Sequence, residues 1–189
     1  MYMEQTTMAK IKMSKEQIEN RRRSRDFAFL LIYEANVQKD KDLADLMADT
    51  AELVASLETS QDFHPDETEM EYIKTTVAGV LEKREEIDVI ISENAHGWKL
   101  KRISATSGAI LRLAIYEMLY NKNVPFVVAI NEAVELAKKY DDDKGPKFIN
   151  GILNAVAEQK GLKPAKAKKP DANAAPASEE TKTENGGNE

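Results

Sequence analysis

From about residue 14 to residue 161, apolar side chains recur every three or four residues, and no stretch shows the alternation typical of a β-strand. This spacing places the apolar groups of each segment on one face of an α-helix. Glycine and proline are sparse, with 8 and 6 residues in the whole chain. Several of them fall where a periodic segment starts or stops. The spacing therefore predicts an all-α fold, a compact bundle of about seven helices.

Capping residues and prolines predict where these helices begin and end. Ser14 and Gln17 have the spacing of a capping box, so the first helix should start there. In the helix that begins at Pro125, we expect Val127 and Ile130 to face the core. The predicted helix ends lie near Ser14, Gln38, Leu43, Ser60, Pro65, Ser104 or Ser107, Pro125, Pro146 and Gly161.

The two ends of the chain differ from this helical middle. Residues 1–13 show no apolar periodicity and carry Lys10 and Lys12, so we expect a flexible basic segment. Residues 162–189 are rich in Pro, Ala, Lys and Glu and have few large apolar groups, which predicts a disordered tail. One helical domain should therefore span residues 14–161. The chain has no cysteine and no apolar run long enough to cross a bilayer, which fits a cytoplasmic location.

Positive charge is concentrated at the start of the first helix, although the whole chain has a net charge of −6. Four arginines, Arg21, Arg22, Arg23 and Arg25, stand within five residues, and Lys15 precedes them. Guanidinium groups bind phosphate oxygens bidentately, so this cluster can contact a nucleic acid backbone. From the cluster alone, it is equally open that these arginines bind no partner and are simply exposed to solvent. Single-stranded RNA fits better than duplex DNA, because no helix-turn-helix or zinc module is present.

Two aromatic residues of the first helix lie outside its apolar stripe. The stripe includes Ala28, Leu31 and Ile32, whereas Phe29 and Tyr33 share a flank with polar residues. An aromatic ring with a polar tip suits a wet interface, so we expect Tyr33 to contact a partner protein. For Phe29, a core position and a partner contact are equally open.

The sequence lacks the groups that an enzyme would need. There is no nucleophile with a base, no phosphate-binding loop and no metal cluster, and His64 and His96 have no neighbours at ligand spacing. Arg112, Glu117 and Glu132 lie among apolar residues, and we expect Arg112 to pair with a carboxylate and join its helix to the next one. We therefore expect no catalysis, no cofactor and no bound metal.

Several segments, taken in order, resemble the NusB family. They are RRRSRDFAFLLIYEANVQ, ILRLAIYEM, VPFVVAINEAVELAKKY and KFINGIL, within a resemblance that covers roughly residues 20–158. The resemblance implies a fold of two three-helix bundles. It also implies an antitermination function, in which proteins of this family bind the boxA element of ribosomal-RNA leader transcripts together with NusE, a small-subunit ribosomal protein. RNA polymerase then resists termination. Homodimers that mask the RNA surface occur among such proteins, so a homodimer is a further expectation.

The resemblance also implies which residues bind. A second RNA-facing patch should lie at the start of the last helix, where free N–H groups favour phosphate and Lys147 adds charge. Phe148 either stacks on a base or belongs to the core, and the two are equally open. The predicted RNA-binding residues are Lys15, Arg21, Arg22, Arg23, Arg25, Lys147, Phe148 and Asn150. The predicted partner-binding residues are Phe29, Tyr33 and Ser107.

Two residues depart from the family pattern. Many relatives carry an acidic residue that helps to hold NusE in the stretch where this chain has Ser107, so that contact stays open. Lys144 stands where relatives often have an acid, and we expect it to favour RNA. The alternative function is a protein-only adaptor whose arginines merely solubilise it. Salt dependence separates the two, because phosphate contacts weaken steeply as salt rises.

Overall fold

The computed structural model describes residues 13–38, 43–57, 65–95 and 103–163. These residues form seven α-helices and no strand, which confirms the predicted fold class. The helices are α1 (Lys15–Val37), α2 (Leu43–Leu57), α3 (Glu67–Glu82), α4 (Arg84–Asn94), α5 (Ala105–Tyr120), α6 (Phe126–Tyr140) and α7 (Gly145–Gln159). Within the described ranges, no helix is both long and apolar enough to cross a membrane.

Some predictions fall on parts of the chain that the structure does not describe. These parts include the basic segment up to residue 12, both histidines and the tail from residue 164 onward. The predicted domain boundaries therefore stay predictions.

Local chemistry accounts for the helix ends. The Ser14 hydroxyl accepts the N–H of Gln17 at 3.1 Å, and the Gln17 side chain accepts the N–H of Ser14 at 2.8 Å, so the predicted capping box is confirmed. Ser104 caps α5, since its hydroxyl accepts the N–H of Ser107 at 2.9 Å. After α7, Gly161 adopts a φ of 65°, which a residue with a side chain rarely adopts.

The helices pack as two groups, which meet at α5. Helices α1, α2 and α3 contact one another and form the first group, and α5, α6 and α7 form the second. Helix α5 also packs against α1 and α3, while α4 packs against α3, α5 and α7. This arrangement matches the pair of three-helix bundles that the resemblance implies. It places α1 of the first group beside α5, so residues of both groups can meet at one surface.

Two local predictions were wrong. Pro65 precedes the N-cap Asp66, so it lies outside the first turn of α3. Val127 is 51% exposed, because the buried face of α6 is centred on Ala133 and Val127 points about 120° away from it. Helices α3 and α4 are separated by a single residue, Lys83.

Candidate nucleic-acid interface

Arg25, which the sequence placed among the RNA contacts, lies in the core. It is only 3% exposed, and its guanidinium donates to both carboxylate oxygens of Glu117 on α5 at 2.9 to 3.1 Å. The hydroxyl of Tyr72 on α3 donates to the same carboxylate at 2.7 Å. The prediction for Arg25 is therefore corrected: α3 and α5 cover this arginine, and it joins three helices.

The protonation of this cluster follows from its burial. Burial raises the pKa of Tyr72 well above its ordinary value, and the charge of Glu117 raises it further, so the phenol stays protonated and donates. Burial disfavours the charged form of Arg25, but Tyr72 and Glu117 outweigh this effect and raise the pKa of the arginine. Arg25 and Glu117 therefore form a fixed, charged pair inside the protein.

Arg21 is also largely occupied. Its Nε donates to both oxygens of Glu69 on α3 at 2.8 and 3.0 Å, and its guanidinium lies 4.3 Å from the centre of the Tyr72 ring. It borders a groove between α3 and α5 that also includes Tyr116 and Tyr120. Arg21 is consequently tied to α3 through Nε, and its side chain is only 20% exposed.

The remaining basic residues of α1 reach the surface. The side chain of Arg22 is 52% exposed, although it pairs with Glu132 on α6. Lys15 and Arg23 are exposed, and neither forms an ion pair with any residue that the structure describes. Three of the five basic residues predicted on this helix are thus accessible to a polyanion.

Arg22 shares a surface depression with the start of α7, although these residues are far apart in the sequence. The depression has a volume of about 660 Å³, and we call it the α1–α7 depression. Asn131 and Lys138 on α6 also border it, and sequence reasoning missed both of them. Their spacing of seven residues on the exposed side of a helix was the available signal. Its lining residues are Arg22, Asn131, Glu132, Val134, Glu135, Lys138, Pro146, Lys147 and Asn150.

Phe148 points to a different side of α7. Its ring is half-buried against the core and borders a separate cleft of about 180 Å³, so it packs on the core in part, and stacking on a base stays a prediction. Ser107 borders the same cleft but is buried, and its hydroxyl donates to a carboxylate oxygen of Asp141. The prediction of Ser107 as a partner contact is corrected for this reason. Lys144 lies exposed at the edge of this cleft.

The two aromatic residues of α1 differ in their exposure. Phe29 is 2% exposed, because its ring packs against Tyr140 of α6 at a centroid distance of 4.8 Å, and its predicted partner contact is corrected. Tyr33 is only half-buried. Leu30 and Val37 lie three residues before and four residues after it, and both are exposed. We call Leu30, Tyr33 and Val37 the α1 stripe. Sequence reasoning pointed to Tyr33 but missed the exposed Leu30 and Val37 on the same face.

Polar residues elsewhere serve the fold. Arg112 pairs with Asp88 on α4 at 2.7 Å, so it joins α5 to α4 and does not join it to α6 as expected. In the turn before α7, one oxygen of Asp142 accepts the N–H groups of Lys144 and Gly145, both at 2.9 Å. Among the described residues, no group of three acidic or histidine side chains is arranged to hold a metal ion.

Comparison with known proteins gives one consistent family. The sequence model of the NusB family matches residues 22–158. The chain is 46% identical to transcription antitermination protein NusB of Acetivibrio thermocellus over 140 residues, which are 74% of this chain and 90% of that protein. For the protein of the same name from Carboxydothermus hydrogenoformans, the identity is 40% over 139 residues, which are 74% of this chain and 93% of the relative.

Solved structures agree with the sequence matches. The fold is similar to that of T. maritima NusB, with a TM-score of 0.64 and 32% identity over 75% of this chain and 95% of that chain. A second similar structure is a complex of the antitermination factors NusB and NusE with double-stranded RNA. There the TM-score is 0.60 and the identity 27%, over 75% of this chain and 98% of that chain.

Proposed function

The chain belongs to the NusB family of transcription antitermination factors, which are not enzymes, and we propose that it binds boxA-type RNA of ribosomal-RNA leader transcripts together with NusE. In this function the protein is an adaptor within a complex that keeps RNA polymerase processive. The solved complex of the similar factors NusB and NusE with RNA supports both partners.

The observation that carries the proposal is the composition of the α1–α7 depression. Arg22, Lys138 and Lys147 come from three different helices and surround one concave surface, where Glu132 and Glu135 pair with Arg22 and Lys138 and leave Lys147 as the excess positive charge. Arginine binds phosphate with a planar fork, and Lys147 presents an exposed ammonium group in the first turn of α7. A single-stranded backbone that crosses this surface would meet all three groups.

Amide side chains in the same depression can read bases. Asn131 and Asn150 border it, and the side-chain oxygen of Asn150 accepts a hydrogen bond from Asn154 at 3.0 Å. This bond leaves the NH₂ group of Asn150 available to donate. Unpaired bases of RNA expose acceptors on their edges, so amides beside a phosphate path suit sequence recognition.

The α1 stripe is the proposed contact for NusE. Leu30 and Val37 expose apolar side chains on either side of Tyr33, which supplies a ring with a polar tip. Isolated exposed apolar residues are common, but three on one helical face form a patch that a partner protein can cover. The RNA and the protein would then bind along the same helix.

The test is RNA binding by fluorescence anisotropy across a series of salt concentrations, with and without NusE. The triple variant Arg22→Ala, Arg23→Ala, Lys147→Ala should bind a boxA-like RNA more weakly. Its log–log salt slope should become shallower by about 0.7 for each phosphate that the variant no longer binds. Lys122→Ala is the matched control, because this exposed lysine borders the groove between α3 and α5 and should leave RNA binding unchanged. Equal affinities and slopes for all three proteins would instead favour the protein-only adaptor.

A further inference from the structure

We infer that Glu132 competes with RNA phosphate for Arg22, and that this competition limits the affinity of the α1–α7 depression for RNA. The inference rests on the proposed function, since it concerns the same surface. It assigns to a carboxylate inside a basic site the role of setting how tightly RNA binds.

Glu132 occupies the same donors that a phosphate would use. The Nε of Arg22 lies 3.2 and 3.1 Å from the two carboxylate oxygens of Glu132, and Nη2 lies 3.1 Å from the first of them. This is the two-pronged geometry by which a guanidinium also binds a phosphate group. An RNA phosphate therefore cannot take this edge of Arg22 until Glu132 gives it up.

The structure fixes the carboxylate and leaves the arginine exposed. Only 14% of the Glu132 side chain is exposed, against 52% for Arg22. The other oxygen of Glu132 also lies 3.5 Å from Nη1 of Arg25, which Glu117 holds in the core. When Arg22 turns toward RNA, Glu132 keeps Arg25 as a partner. Glu132 and Glu117 then share the single charge of Arg25, and part of the Glu132 side chain stays exposed to water, so the exchange can occur without unfolding the site.

This exchange affects all RNA equally. A polyanion that offers only phosphates gains one ion pair with Arg22 but breaks the pair with Glu132, so its net gain at this position is small. An RNA that also bonds the amides of Asn131 and Asn150 gains hydrogen bonds that the exchange does not offset. Glu132 should therefore lower the affinity for all RNA by the same factor, and the amides of Asn131 and Asn150 should decide the preference among RNAs.

The experiment compares Glu132→Gln with the wild type on two probes of equal length, a boxA-like RNA and oligouridine. The amide keeps the shape of the side chain but releases Arg22. We expect about fivefold tighter binding of both probes, as for the removal of one competing ion pair. The salt slope should stay the same, because Arg22 binds the same phosphate in both proteins. The preference for the boxA-like RNA should also stay the same, because both probes gain equally.

Two controls isolate the role of the hydrogen-bonded ion pair between Arg22 and Glu132. Glu19→Gln removes the same unit of charge near Arg22. Glu132 has the largest effect on the pKa of Arg22, and the charge of Glu19 also raises this pKa, but Glu19 makes no hydrogen bond to the arginine. This variant should bind RNA as the wild type does. In an Arg22→Ala background, Glu132→Gln should give no gain. Glu132→Asp, which draws the carboxylate back by one methylene, should give an intermediate gain and serves if the glutamine variant is poorly folded.

The outcomes separate the two proposals. A Glu132→Gln gain that equals that of Glu19→Gln, or that persists without Arg22, would overturn the competition. Weaker RNA binding by Glu132→Gln would also overturn it, and Glu132 would then be a residue that positions Arg22 for RNA. If the wild-type protein and the variant with alanine at positions 22, 23 and 147 bind RNA equally, the proposed RNA function itself fails. If that triple variant binds RNA more weakly but Glu132→Gln changes nothing, only the competition fails.

Discussion

Replacing Glu117 by glutamine should cost a large part of the stability of this protein. The substitution keeps the side-chain volume but removes the charge that neutralises buried Arg25, whose nearest other carboxylate oxygen, on Glu132, is 3.5 Å away. Removing one partner of a buried ion pair leaves an uncompensated charge and costs about 3–5 kcal/mol. Domains of this size have free energies of unfolding of about 5–15 kcal/mol, so the change should be easily measured.

Urea unfolding followed by far-ultraviolet circular dichroism measures this change, and comparison of the m-values checks that both proteins unfold in one step. Glu135→Gln is the control, because it breaks an ion pair with Lys138 in which both side chains are more than half exposed. We expect a change within about 0.5 kcal/mol for that variant. The double variant Arg25→Met, Glu117→Leu should recover part of the stability, since an apolar pair can replace a buried ion pair but the buried Tyr72 hydroxyl loses its acceptor.

Two results would refute this reasoning. One is a cost for Glu117→Gln no greater than that of the exposed control, which would mean that water or a neighbouring group compensates Arg25. The other is a double variant as unstable as the single one, because the cost would then come from altered shape and not from an unpaired charge.

Further variants test local features. Gly161→Ala should lower the free energy of unfolding by about 1 kcal/mol because Gly161 has a positive φ. Gly151→Ala should raise it by about 0.4–1 kcal/mol, because the added methyl group meets no atom within 4 Å. Thermal unfolding measures the sign of both changes. Ser14→Ala should cost about 1 kcal/mol because the cap on α1 is removed, as measured by urea unfolding. Lys144→Asp should weaken RNA binding and flatten its salt dependence, and equally tight binding would contradict the role expected for this lysine. Leu30→Asp should weaken the association with NusE, as measured by isothermal titration calorimetry, and should leave RNA binding by the isolated protein unchanged. An unaltered affinity for NusE would exclude the α1 stripe as the contact.

Sequence reasoning succeeded where the cause is local. The capping box at Ser14 and Gln17 and the turn before Pro146 depend on residues within one helical turn, so their positions could be predicted. The exposed face of α6 was less clear, because Val127 and Val128 are apolar yet lie outside the buried arc.

The burial and the partner of each arginine could not be predicted from the sequence, because they depend on helices that are distant along the chain. Arg22 and Arg25 are three residues apart on α1 and were given the same role. Glu117 of α5 and Tyr72 of α3 decide that Arg25 is buried, while α6 supplies the carboxylate that meets Arg22. These pairings become visible only when the packing of the helices is known. The same holds for Phe29, which is covered by a ring from α6.

Helix α1 sets the distance and the angle between the two proposed contacts. Arg22 and Tyr33 are eleven positions apart on one uninterrupted helix, which corresponds to a rise of about 16 Å. An extra residue between them would rotate one contact by about 100° relative to the other. It would also move Ala28 or Arg25 out of the core. Insertions and deletions in this stretch should therefore be far more disruptive than most substitutions, since the helix works as a spacer of fixed length and phase between the RNA and the partner protein.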